Sequence, residues 1–322
     1  MKMLDFISIV AAATLLASCG GKQDAAREAS DAPAQAVVNF NADSAYAHVK
    51  AQCDFGPRVP STPAHEQCGT YLEAQLARYC DTVYTQHADL TTHDGKVLHA
   101  TNYIGVINPD AEKRILLMAH WDCRPWADND PDPAKRHMPV MGANDAASGV
   151  AVLLELARIM KQKRPGVGVD ILLDDAEDWG TDSIDESWAL GTQYWVHHTH
   201  VPYYAPMYGI LLDMVGAKGA TFYQEGFSVD AAPSLVESIW ATAADAGYGK
   251  YFIAQKLGYV TDDHKPLIDN QIPCVDIVDM RQSPSGFFSG WHTTHDTLDN
   301  IDKGTLKAVG QTVANFIYSI QQ

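Results

Sequence analysis

Ile171-Leu172-Leu173-Asp174-Asp175-Ala176-Glu177-Asp178-Trp179-Gly180 begins as a buried strand and ends in four acids within five positions. Carboxylates this close repel one another, and each loses hydration where a strand end lies inside the protein. A cation is the simplest agent that lets them coexist. The apolar half belongs to VDILLD, starting at Val169, and similar β-rich runs are NYIGVI from Asn102, RILLMAH from Arg114, YGILLDM from Tyr208 and PCVDIVDM from Pro273. Helical periodicity runs through Asp43 to Ala51, Pro63 to Tyr79, Ala146 to Lys163, Ala232 to Ala246 and Gly304 to Ile320. Short apolar strands separated by helices predict an α/β fold: a mainly parallel sheet covered by helices on both faces, with no internal repeat and no second domain. Ligands of such sheets bind at the carboxyl ends of the strands. Those ends carry His120, Asp122, Asp174, Asp175, Glu177, Asp178 and Asp213.

With 322 residues, 46% hydrophobic and 20% charged, the chain has apolar material for one large α/β domain. Its formal net charge of -17, with no block of Lys and Arg, argues against a nucleic-acid backbone as partner and suits a neutral or cationic substrate. Residues 1–19 combine a basic start, a short apolar stretch and small residues before Cys19, which reads as an export signal. Leu16-Ala17-Ser18-Cys19 resembles a bacterial lipobox, so the expected product is an exported periplasmic or cell-envelope lipoprotein that meets the membrane only through an N-terminal lipid. Residues 20–36 are small and polar, as in a flexible tether, and residues 37–322 form the folded, catalytic part. Cys53, Cys68, Cys80, Cys123 and Cys274 remain, an odd number with no disulfide framework and no paired metal-thiolate motif. They read as small buried hydrophobes.

Acids and histidines recur where strand becomes loop: AHWD with His120 and Asp122, GANDAASG with Asp145, AEDWG with Glu177 and Asp178, LLDMVGA with Asp213, TDDHKPL with Asp262, Asp263 and His264, and GWHTTHDTLDN with His292, His295 and Asp296. Singly each is weak; Asp145 alone reads as a helix N-cap and His292 as a surface histidine. Taken together and in this order they resemble the zinc-dependent aminopeptidase superfamily of the M28 type, over the chain from Phe55 to the final helix. Within it, DDHKPL and WHT look like the animal-type glutaminyl-peptide cyclotransferases, which convert N-terminal glutaminyl residues of peptides to pyroglutamyl with release of ammonia.

That resemblance implies a single catalytic domain with a central mixed sheet and one zinc per chain, held by Asp145, Asp178 and His292. It makes Glu177 the proton-transfer group and matches Asp213 and Asp262 to the acids around it. Trp188 and Trp291 become aromatic walls for the substrate. Many members of the family have Glu where this chain has Asp178, so the ligand here is one methylene shorter and the metal sits nearer the backbone. Asp174 and Asp175 have no part in the motif; Asp174 is expected to accept hydrogen bonds at the strand end and Asp175 to be solvated. Two other functions fit the same residues. His120 and Asp213 could complete a second metal site in a two-zinc aminopeptidase, and a tethered peptide-binding protein could keep the fold without the chemistry.

Overall fold

The computed structural model describes residues 38–320. The expected export signal, the whole of the expected tether, and residues 37, 321 and 322 of the expected folded part lie outside the described residues. The chain starts with α1 (Ala42–Asp54), capped by the Asn41 side chain, and α2 (Pro63–Tyr79), capped by Thr62 with Pro63 in its first turn. Two strands, β1 (Thr82–Thr91) and β2 (Val97–Ile107), form an antiparallel hairpin. After β3 (Arg114–His120) come α3 (Ala147–Gln162), β4 (Gly168–Asp174), α4 (Leu190–His197) and β5 (Gly209–Asp213). The remainder is β6 (Phe222–Gln224), α5 (Gly226–Ala231), α6 (Pro233–Asp245), β7 (Phe252–Lys256), α7 (His264–Asp269), β8 (Cys274–Val278) and α8 (Lys303–Ser319).

Six strands build the main sheet in the order β1-β2-β4-β3-β5-β8, and β6 pairs with β7 in a small parallel sheet. The pairings of β4 with β3, β3 with β5 and β5 with β8 are parallel, whereas β2 is antiparallel to both neighbours. The sheet is therefore mixed and mostly parallel, as the sequence pattern and the resemblance together imply. Alternation along β3 divides the core. Ile115, Leu117 and Ala119 join a cluster with Leu72, Leu153 and Val309 from α2, α3 and α8. Leu116 and Met118 face the other way, towards Trp195 of α4 and Leu267 of α7. Both faces are buried, which is why the strands read as continuous apolar runs.

Gly149 lets α3 settle against the sheet: a Cβ there would lie 2.0 Å from the Leu212 carbonyl oxygen of β5. Helix α3 starts with Ala146 as its N-cap residue and has no side-chain cap, so the Asp145 carboxylate is not spent on capping. All five cysteines among the described residues are free, four of them buried and Cys53 partly so; burial pushes the thiols of Cys68 and Cys123 up to about 12.

Candidate active site

Parallel register brings the carboxyl ends of β3 and β4 level, with His120 opposite Asp174, and β5 ends beside them at Asp213. The chain then turns sharply. Ala176, Met214 and His292, none of them glycine, have φ of 59, 50 and 54°. Left-handed backbone at non-glycine residues is costly and clusters at functional sites. Here it follows strands β4 and β5 and falls on a candidate ligand itself.

Asp145, Asp178 and His292 converge, each offering a ligand atom within 4.8 Å of the others. His292 Nε2 lies 3.2 Å from Asp178 Oδ1 and 3.7 Å from Asp145 Oδ2. All three are buried. Two carboxylates and an imidazole suit a four-coordinate zinc with one position left for substrate. Asp296 anchors the Asp145 backbone by accepting from the amides of Asn144 (2.9 Å) and Asp145 (3.1 Å). Burial and the nearby Asp145 charge push Asp296 up to about 8.

The pair Glu177-Asp178 is set by Asp122, whose carboxylate accepts from both their amides at 3.2 Å. Arg124 donates to the Asp178 carbonyl at 3.1 Å and to its carboxylate at 3.3 Å, and holds Asp128 through two further bonds. His120 is fully enclosed. Its Nε2 is 3.0 Å from Asp145 and 3.3 Å from Asp213, and its Nδ1 is 3.3 Å from Asp122 and 4.0 Å from Glu177. His120, Asp145 and Asp213 thus form a second group with metal-binding reach, and Asp262, His264 and Asp276 a third. Burial raises Glu177 well above the ordinary glutamate range; His120 opposes this, while Asp178, Asp262 and Asp263 add to it. Asp213 is pushed up to about 6 by burial and by Asp145. Asp262 rises for the same first reason, with Asp213 and Asp263 contributing.

Asp175 departs from its expected solvated state. It is buried, accepts from the amides of Thr101 (2.6 Å) and Ala176 (2.8 Å), and lies 2.9 Å from His65 Nε2. Its β4 neighbour Asp170 is held by Arg114 at 2.8 and 2.6 Å and by the Tyr204 hydroxyl at 2.8 Å. Asp174 is the strand-end group expected, but its carboxyl faces the equally buried Asp263 rather than a backbone donor. Burial pushes Asp174 up to about 6 and raises Asp263 as well, with the charge of Asp174 adding to the latter. Glu225 accepts from the amides of Phe227, Ser228 and Val260, and lies 3.1 Å from His264 Nε2.

A cavity of about 240 Å³ opens onto the site and is lined by Asp145, Glu177, Asp213, Asp262, His292 and the two tryptophans, among others. Trp291 stacks on His292 with ring centroids 3.9 Å apart, and Phe287 packs at 4.5 Å from Trp291. Trp188 lies flat over Gly180, where a Cβ would be 2.1 Å from the indole. The Arg124 guanidinium lies 4.9 Å from its ring centroid. Of the expected site residues, Asp145, Glu177, Trp188, Asp213, Asp262, Trp291 and His292 line this cavity, whereas Asp178 lies behind it, against His292. Arg124 escaped notice because it belongs to no motif; the alternation of His120, Asp122 and Arg124 on one side of an extended segment is the signal that could have found it.

The model of peptidase family M28 matches residues 102–317 of the chain. Among solved structures, a Zn-dependent exopeptidase from Parabacteroides distasonis is 53% identical, with a TM-score of 0.87 over 88% of this chain and 100% of that one. A Bacteroides thetaiotaomicron glutaminyl cyclase, bound to N-acetylhistamine, is 48% identical, with a TM-score of 0.86 over 88% of this chain and 100% of that one. The Drosophila melanogaster glutaminyl-peptide cyclotransferase is 26% identical over 77% of this chain and 73% of its own length.

Proposed function

The chain belongs to peptidase family M28, and we propose that within it this is a glutaminyl cyclase, converting N-terminal glutaminyl residues of peptides to pyroglutamyl with release of ammonia. The observation that carries the reading is Glu177 beside, but outside, the converging set Asp145, Asp178 and His292, with Glu177, Asp145 and His292 lining one tryptophan-walled cavity. The donor atoms of that set fit one zinc per chain. A zinc ion held there supplies a Lewis acid to the γ-carboxamide oxygen of the substrate.

The remaining work belongs to side chains. The substrate's α-amine nitrogen forms a bond to the carbonyl carbon (Cδ) of its own γ-carboxamide, and the bond from that carbon to the amide nitrogen breaks. Glu177 accepts the proton lost by the amine and returns it to the departing ammonia. Burial among other acids raises its basicity above that of an ordinary glutamate, which strengthens it as a proton acceptor. Asp213 and Asp262 line the cavity with Glu177, and we assign them to the acid network that sets its protonation. Trp188 and Trp291 confine the flexible glutaminyl side chain to a conformation in which its two ends meet, which matters most in an intramolecular attack.

His120 lies between Asp145 and Asp213 and favours a second reading, a two-zinc aminopeptidase. Asp122 on the other ring nitrogen of His120 suits a metal-ligating histidine as well as a hydrogen-bonded one, so the metal count decides. One experiment separates the two: purified protein is incubated with a Gln-starting and a Leu-starting peptide, and metal is counted by elemental analysis. Loss of ammonia from the first peptide, with one zinc per chain, is expected. Free leucine with two zincs would establish the aminopeptidase. The lipobox at Leu16 to Cys19 supports export and lipid tethering; among the described residues no helix is long and apolar enough to cross a membrane.

A further inference from the structure

A second cavity, of about 340 Å³, adjoins the first and shares Asp185, Trp188, Thr261 and Asp262 with it. The glutaminyl cyclase reading places the first residue of the peptide in the first cavity. The following residues must leave through its mouth, advancing about 3.5 Å per residue when extended. The adjoining cavity is where a side chain just beyond the glutamine finds room.

Its charge is one-sided. Thr181-Asp182-Ser183-Ile184-Asp185-Glu186-Ser187 carries three acids and no base. Asp182 lines the first cavity, Glu186 the second and Asp185 both. All three are exposed, and the ion pairs of the described residues include none of them. Lys265, the cation of the second cavity, is committed to Asp269 at 2.6 Å. The acids are presented on a fixed backbone. Thr181 bridges to Ile184, the Ser187 hydroxyl accepts from the Thr181 amide at 2.8 Å and donates to the Ile184 carbonyl at 2.6 Å, and Gln193 donates to the carbonyls of Glu186 and Trp188 at 2.9 and 2.8 Å.

We propose that this second cavity receives the side chain of the second or third residue of the substrate, and that Asp182, Asp185 and Glu186 select a basic one. An arginine or lysine entering it meets carboxylates that no protein cation neutralises; a glutamate meets repulsion. Rim charges of this kind act on encounter and binding, and salt screens them.

The test compares kcat/KM for cyclisation of Gln-Arg-Ala-Ala-amide, Gln-Ala-Arg-Ala-amide, Gln-Ala-Ala-Ala-amide and Gln-Glu-Ala-Ala-amide, at low salt and at about 0.5 M salt. An arginine peptide should exceed the glutamate peptide by roughly ten-fold or more at low salt, mainly through KM. That ratio should shrink in high salt and approach one in the triple variant D182N/D185N/E186Q. Ratios taken within one enzyme cancel any loss common to all peptides, and the salt series on the unaltered protein decides the matter even if the variant folds badly. Equal kcat/KM across the four peptides, or a preference that survives both salt and the variant, would overturn the proposal. Cyclisation of none of them would instead overturn the glutaminyl reading, and this subsite with it.

Discussion

Two populations of buried acid occupy the core on and around this sheet. Asp170, Asp175 and Glu225 each meet a dedicated set of donors: Arg114 and Tyr204 for the first, His65 and two amides for the second, His264 and three amides for the third. Asp145, Glu177, Asp178 and Asp213 instead face one another around two histidines, with fewer donors than acceptors. Asp175 and Asp178 are three residues apart and equally enclosed, yet they fall in different populations. Burial alone does not mark a functional acid. Acceptor capacity that the protein leaves unused does, because a ligand must complete it.

The sharpest way to break this comparison is to remove an acid from the satisfied population. Asp170→Ala strands the Arg114 guanidinium and should lower folding stability by roughly 3 kcal/mol, the scale for breaking an enclosed ion pair; urea unfolding measures it, and a loss under about 1 kcal/mol would remove the distinction. Asp178→Ala should do the reverse. Zinc affinity falls by more than about 100-fold, beyond the cost of losing an outer hydrogen-bond partner, and excess zinc restores part of the activity. The metal-free melting temperature stays within about 3 °C of the parent, a shift of about 1 kcal/mol, because mutual repulsion is relieved.

Glu177→Gln should keep the metal and the fold but reduce cyclisation by roughly 10²-fold or more. Loss of zinc from that variant, by elemental analysis, would mean that Glu177 and Asp178 have exchanged roles. Trp291→Ala is the mildest change: zinc remains, and kcat/KM for a Gln-starting peptide falls by about ten-fold through poorer positioning. Unaltered kinetics would reduce Trp291 to packing.

Much of this was legible in the sequence where one physical signal dominated. The α2 boundaries follow from Thr62, Pro63 and the apolar spacing; β3, β4 and β8 follow from their largely apolar runs, interrupted only by Asp170 in β4 and Asp276 in β8, because both of their faces are covered. Strand β1 was not legible. TVYTQHADLT lies at the sheet edge with mostly exposed side chains, and its polar composition hides a strand fixed by pairing with β2. Helices α4, α5 and α7, of eight, six and six residues, are too short for periodicity to show. At the site, acids at strand ends were visible as a group. Which of them are already satisfied was not, since His65 lies 110 positions from Asp175 and Glu225 39 positions from His264.

The level carboxyl ends of β3, β4 and β5 have a consequence for motion. These strands are flanked on both edges by other strands and covered on both faces, so their amides exchange with solvent only when the whole domain opens. The strands leading to His120, Asp174 and Asp213 should therefore exchange more slowly than the 181–187 segment, which belongs to no strand of that sheet. The floor of the cavity is held by the sheet, and its acidic rim by the local hydrogen bonds of Ser187 and Gln193.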